Sequence, residues 1–276
     1  MTLPVASKLA LTLRTRPRHA TTVFPVIAAR TNDYPRRVPD VSFKDLCIDV
    51  TAGEGRPAAV VAFWSVALGQ PIVRHADGGS YLGPPDGSPK NRVVWINDVE
   101  EPIAGKSRVH IDVRNADGDP APLVAAGGTL QRTRGGDITW DIVNDPDGVA
   151  VCVFGPHPAD PTALGPFELV VDAVDPPAIA GWWAERTGGK VGGRDGAPFV
   201  WIEDVAGFPY MFWVFHYVPE PKIAKNRVHW DVWLGDTTIE GLVTAGATLL
   251  RPKDDEIEWW VMADPEGNEF CVFEPR

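Results

Sequence analysis

The chain has 276 residues, 44% of them hydrophobic and 23% charged, with a formal net charge of −11, an ordinary globular composition with room for one large or two ordinary domains. The negative balance argues against nucleic-acid or anionic-membrane partners, and no apolar run reaches the length of a membrane span. Three cysteines (Cys47, Cys152 and Cys271) are too few for a disulfide framework, so the chain reads as cytoplasmic.

The first 40 residues hold seven Lys/Arg against two Asp, a net of +5, leaving −16 for the remainder. Arg14, Arg16 and Arg18 interrupt the short apolar run at Leu9-Ala10-Leu11 before it reaches secretory length. Residues 1–42 are expected to be a flexible basic extension, with an Arg-rich organelle presequence as the alternative.

The remainder repeats. Phe63-Trp64 aligns with Trp182-Trp183, and Lys106-Ser107-Arg108-Val109-His110 with Lys225-Asn226-Arg227-Val228-His229. Asp145-Pro146-Asp147-Gly148 aligns with Asp264-Pro265-Glu266-Gly267, and Cys152-Val153-Phe154 with Cys271-Val272-Phe273. One offset of 119 residues serves every pair. Asp49 to Trp64 spans 15 positions while Asp172 to Trp183 spans 11, so the first copy carries a four-residue insertion between its first strand and first helix. The expected organisation is one domain over 43–156, a Pro-rich linker at 157–165, and a second domain over 166–275.

In the second copy, Phe167–Asp172 alternates as a strand. Asp175 caps a helix that opens on Pro176 and runs through Trp183. Strands follow at Phe199–Glu203 and Tyr210–Tyr217. A second round gives a strand at Arg227–Leu234 and a helix at Thr237–Ala245, closed by Gly246. Strands at Thr248–Arg251, Ile257–Met262 and Glu269–Glu274 complete it. Each copy therefore reads as two βαβββ units. Asp-Pro-x-Gly fits a tight turn with a left-handed Gly, and the paired aromatics fit helix packing on a sheet. Lys106, Arg108, Lys225 and Arg227 at strand entries read as solvated, with an anion-binding role as the alternative.

This order of elements and motifs resembles the glyoxalase-like branch of the vicinal oxygen chelate superfamily, which includes glyoxalase I, extradiol dioxygenases, and fosfomycin- and bleomycin-resistance proteins. The resemblance implies an α+β fold of two tandem glyoxalase-like domains, each made of two paired βαβββ units forming a cupped mixed sheet. It does not choose among isomerase, oxygenase, transferase and drug-binding roles.

In metal-dependent relatives, the positions matching His110 and His229 are ligands, and those matching Cys152 and Cys271 are ligating Glu. The remaining ligand positions fall on Asp45 and Asn97 in the first copy and on Glu168 and His216 in the second. Grouped by copy, the first set is Asp45, Asn97, His110 and Cys152; the second is Glu168, His216, His229 and Cys271. With Cys at both Glu positions and Asn in the first copy, no cofactor is expected. The second copy is the fallback site for a divalent metal.

Alternation along a strand puts His110, Asp112 and Arg114 on one face, and His229, Asp231 and Trp233 on another. Asp49 and Asp172 are expected to point at these histidines from the first strand of the same copy. A carboxylate facing an imidazole suits proton transfer to or from a small organic molecule. It equally suits a buried structural pair. Trp213, Trp233, Arg114, Cys152 and Cys271 are the expected ligand-facing residues. The richer second copy is expected to be the functional one. The partner is a small molecule, and the duplication makes a pseudo-dimer within one chain that is compatible with a monomer. An acid–base enzyme, a non-catalytic protein that sequesters an aromatic or apolar compound, and a metal-dependent lyase or dioxygenase all remain open.

Overall fold

A computed structural model describes residues 38–74, 79–84, 92–136 and 138–275. The expected extension lies outside the described residues as far as residue 37. From Pro39 the backbone is fixed: the carbonyls of Pro39 and Asp40 accept hydrogen bonds from Asp236 (3.1 Å) and Gly235 (2.8 Å).

Four βαβββ units follow one another. The first comprises β1 (Val41–Thr51), α1 (Arg56–Leu68), β2 (Ile72–Arg74), β3 (Ser80–Leu82) and β4 (Val94–Val99). The second comprises β5 (Val109–Arg114), α2 (Ala121–Ala125), β6 (Thr129–Arg132), β7 (Asp141–Asn144) and β8 (Ala150–Phe154). The third comprises β9 (Gly165–Ala173), α3 (Pro176–Thr187), β10 (Lys190–Gly193), β11 (Phe199–Glu203) and β12 (Phe212–Tyr217). The fourth comprises β13 (Val228–Leu234), α4 (Ile239–Thr244), β14 (Thr248–Arg251), β15 (Trp260–Ala263) and β16 (Glu269–Phe273). Among the described residues no helix is long and apolar enough to cross a membrane.

Local signals hold where backbone chemistry is decisive. Asp175 caps α3 by accepting from Ala178 N at 3.2 Å, with Pro176 and Pro177 in the first turn. Gly148 and Gly267 take the left-handed conformation (φ 101° and 85°) that ends each Asp-Pro-x-Gly turn. The short strand β10, rich in glycine, escapes periodicity reading.

The units pair across the repeats. One eight-stranded mixed sheet runs β14-β15-β16-β13-β1-β4-β3-β2, joining the first unit to the fourth. The other runs β10-β11-β12-β9-β5-β8-β7-β6, joining the second to the third. The expectation that each copy closes its own cup is corrected accordingly. At the centre of the first sheet β1 lies antiparallel to β13, and at the centre of the second β5 lies antiparallel to β9. We call the concave face of the first sheet cup A and that of the second cup B.

Strand alternation separates core from cup. Leu46, Ile48 and Val50 of β1 and Val228, Trp230 and Val232 of β13 are buried on the back of the first sheet. Trp213 and Phe215 are buried on the back of the second. These backs, with α1 and α3, form one continuous core, in which the rings of Trp213 and Trp230 meet across the two sheets at 5.0 Å. Trp213 is fully buried and stacks near Phe208 and Trp183, so its expected ligand-facing role is corrected. Its neighbours Val214 and His216 face the cup, and parity sends Trp213 inward. Of the second copy's tryptophans, Trp183, Trp213 and Trp230 are thus fully buried in the core between the sheets.

Candidate functional sites

Because the units cross, each cup draws residues from both copies. Cup A takes Asp45, Cys47 and Asp49 from β1 and Trp95 and Asn97 from β4. It takes His229, Asp231 and Trp233 from β13 and Cys271 and Phe273 from β16. These residues line a cleft of about 1220 Å³, with Trp259 and Lys225 on its walls. Cup B gathers the matching positions: Glu168 and Asp172 from β9, His216 from β12, His110, Asp112 and Arg114 from β5, and Cys152 from β8. The ligand sets grouped by copy are therefore corrected. Asp45 and Asn97 sit with His229 and Cys271, while Glu168 and His216 sit with His110 and Cys152. Likewise it is Asp49, not Asp172, that faces His229.

In cup A, His229 is 7% exposed, and its Nδ1 lies 3.7 Å from Asp49 Oδ2, beyond hydrogen-bond reach and with no other protein partner. Asn97 Nδ2 donates to Asp49 Oδ1 at 3.3 Å, and Lys225 forms an ion pair with Asp49 Oδ2. Asp49 is thus held from two sides. Lys106 does the same for Asp172 at 2.7 Å, so these two lysines are carboxylate anchors at the cup edges rather than free surface charges. Asp231 accepts from Cys47 Sγ at 3.6 Å, and burial pushes its carboxyl above the ordinary range against the pull of Lys44. Burial raises the Cys47 and Cys271 thiols, which therefore stay protonated at neutral pH.

Sequence reading missed Lys44. The β1–β13 register shifts between Phe43 and Asp45, a bulge that turns Lys44 as well as Asp45 into the cup. Lys44 Nζ pairs with Asp45, reaches Asp231 Oδ2 at 3.3 Å, and sits 4.2 Å from the Phe273 ring centroid and 5.3 Å from that of Trp233. Burial alone would lower its pKa, but the charges of Asp231 and Asp45 outweigh burial and raise it. A bulge breaks the alternation that sequence reading relies on, so no pattern marks this residue.

Cup B reverses the arrangement. Its matching bulge carries Phe167, and the cation comes from the position of Trp233: the Arg114 guanidinium lies 3.8 Å over the Phe167 ring. His110 Nε2 is 3.3 Å from Asp112 Oδ1, a buried oxygen with no hydrogen-bond partner. Burial, reinforced by Asp112, pushes Glu168 up to about 7 against Arg114 and His110, while burial lowers His216.

In each cup an imidazole, a carboxylate and a thiol converge. Donor atoms of Cys47, His229 and Asp231 lie within 4.8 Å of one another, as do those of His110, Asp112 and Cys152. The fit to the metal of the superfamily nevertheless differs. In cup A the Oδ2 of Asp45 already takes Lys44 and the Trp95 indole N–H (3.2 Å), and the Asn97 amide is turned to Asp49. Those positions do not fit a divalent ion. In cup B Phe167 stands in place of Lys44, and His110, Asp112 and Cys152 converge with Asp112 Oδ1 buried and without a hydrogen-bond partner, a set of donor types that fits one.

Comparison with known proteins places this geometry. The family model described as a glyoxalase-like domain matches twice, over residues 45–154 and 168–273. Glyoxalase I from Zea mays superposes with a TM-score of 0.58 at 13% identity, covering 85% of this chain and 92% of that one. A putative dioxygenase from Bacillus subtilis subsp. subtilis str. 168 gives a TM-score of 0.53 at 12% identity, covering 84% and 86%. No curated protein matches the chain. At these identities the structural likeness speaks to fold, while the doubled match spans most of the sequence. The chain belongs to the glyoxalase-like domain family of the vicinal oxygen chelate superfamily.

Proposed function

We propose that cup A binds a small organic molecule with an apolar or aromatic part and moves a proton on it without a metal. The observation that carries this reading is the His229–Asp49 pair: a buried imidazole whose Nδ1 faces a carboxylate fixed by Asn97 and Lys225, inside an aromatic-walled cleft. Asp49 stands on the Nδ1 side of the ring, which leaves Nε2 as the nitrogen that exchanges a proton with the ligand. Trp95, Trp233, Trp259 and Phe273 supply the apolar walls on which a planar ligand packs. Proton transfer of this kind serves enolisation, epimerisation or dehydration.

The test is a screen of small organic acids and ketones in deuterated buffer, read by NMR. Binding should come with exchange of a carbon-bound hydrogen, and His229→Ala should abolish the exchange. Binding without exchange in the wild-type chain would favour the sequestering role instead.

A second reading is favoured by the unpartnered Asp112 oxygen in cup B. Glu168, His216 and His110, with Asp112 and Cys152 beside them, would hold a divalent ion there, and such an ion supplies Lewis-acid polarisation of a ligand oxygen. Arg114, stacked on Phe167, would orient an anionic group of that ligand.

A further inference from the structure

We propose that Lys44 is a built-in counter-cation that takes the place of a divalent ion in cup A. The inference rests on the metal-independent reading of that cup and deepens it. Asp45 and Asp231 face each other in the β1–β13 register, both buried. Two carboxylates so placed repel unless a cation stands between them or one is protonated. The bulge delivers that cation. The Lys44 side chain is only 13% exposed, and its ammonium is closed in by the two carboxylates and by the faces of Phe273 and Trp233. Its positive charge opposes a second cation at the two carboxylate oxygens it contacts.

The other cup is an internal control. It has the same facing pair, Glu168 and Asp112, and the same bulge, but Phe167 stands where Lys44 does. Its Asp112 Oδ1 is left buried without a hydrogen-bond partner. One fold thus carries two solutions to one electrostatic problem: in cup A an ammonium between the two carboxylates, and in cup B the Arg114 guanidinium and the His110 imidazole beside a Glu168 that burial pushes up to about 7. Asp231, which Lys44 contacts, also converges with Cys47 and His229 within 4.8 Å, and the three are of types that hold zinc once the ammonium is gone.

The experiment counts ions bound by the full-length protein, using Zn²⁺ alone as probe, with calorimetry for stoichiometry and thermal denaturation for stability. Lys44→Met should bind one more Zn²⁺ per chain than the wild type, and its melting temperature should rise further with added Zn²⁺ than that of the wild type does. Lys44→Met combined with Asp231→Asn should return to the wild-type count. Comparing counts removes any contribution from cup B. Should Lys44→Met fail to fold with or without zinc, Lys44→Phe, which installs the residue cup B carries, replaces it under the same expectation. The proposal is overturned if neither folded variant gains an ion, or if the wild type already binds an ion that Asp231→Asn removes. Because the readout is ion count, loss of the proton-transfer reading would leave this result intact, and the converse holds as well.

Discussion

The indole N–H of Trp64 donates to the buried Oδ2 of Asp145 at 2.8 Å, linking the helix of the first unit to the turn before the last strand of the second. The bond recurs between Trp183 and Asp264 at 3.0 Å. Within a copy the two units thus belong to different sheets, and this bond ties one to the other. It gives the helix tryptophan and the Asp-Pro-x-Gly aspartate, 81 residues apart in both copies, a joint structural role.

Trp64→Phe keeps the aromatic bulk but leaves Asp145 Oδ2 without its indole donor in a dry environment. Stability should fall by about 1–3 kcal/mol, measured by urea denaturation, while ligand binding in either cup is retained. A loss of binding without loss of stability would show that the bond serves a cup instead.

Sequence reading recovered what repeats and alternation encode: the βαβββ units, the Asp175 cap, the glycine turns and the cup-facing parity of His110, Asp112, His229 and Asp231. It could not see which unit partners which. Pairing β1 with β5 or with β13 satisfies the same local pattern, since both second strands carry the same His-x-Asp face, and only long-range packing decides. Lys44 escaped for a different reason, because a bulge places two successive residues on one face. Trp213 was misassigned because its residue type outweighed its parity: three positions before His216 on one strand, it faces the other side of the sheet.

The turn aspartate also predicts a pH effect. Burial raises Asp264 from its ordinary 3.8 to about 6, against hydrogen bonds from Asn268 and Trp183 that pull it down. The folded state therefore holds this proton more tightly than the unfolded state. Its contribution to stability is fully present below pH 3.8 and is lost as pH rises through 6. Asp264→Asn removes that contribution. The wild type should lose on the order of 3 kcal/mol more than the variant between pH 3.8 and 7, read by denaturant titration across that range. Parallel pH profiles for the two proteins would overturn it.

Interleaving has a consequence for the isolated copies. A fragment holding only β1 to β8 would expose β1 and β5, which in the whole chain pair with β13 and β9. Unpaired central strands with buried apolar backs template association. Residues 38–160 expressed alone should therefore dimerise or aggregate instead of forming a stable monomer, and sedimentation velocity will show which. A folded monomeric fragment would mean that β1 and β5 can pair directly, so that each copy closes its own cup.

The sharpest test of cup A concerns coupling. His229 comes from the second copy and Asp49 from the first, yet they lie 3.7 Å apart, whereas Asp172, from the same copy as His229, belongs to cup B with Lys106. Residues in one network show interaction energies of about 0.5–3 kcal/mol, while independent sites add within about 0.3–0.5 kcal/mol. Two double-mutant cycles separate the alternatives, each scored by thermal stability and by binding of a ligand from the cup A screen. The cycle of Asp49→Asn with His229→Ala should be non-additive in both measures. The cycle of Asp172→Asn with His229→Ala should be additive in both. His110→Ala supplies the control for cup B: it should couple to Asp112→Asn and leave cup A binding unchanged. Equal coupling of His229 to Asp49 and to Asp172 would mean that the two cups act as one site. Coupling to Asp172 alone would defeat the crossed arrangement of the sheets and with it the assignment of Asp49 as the carboxylate that serves His229.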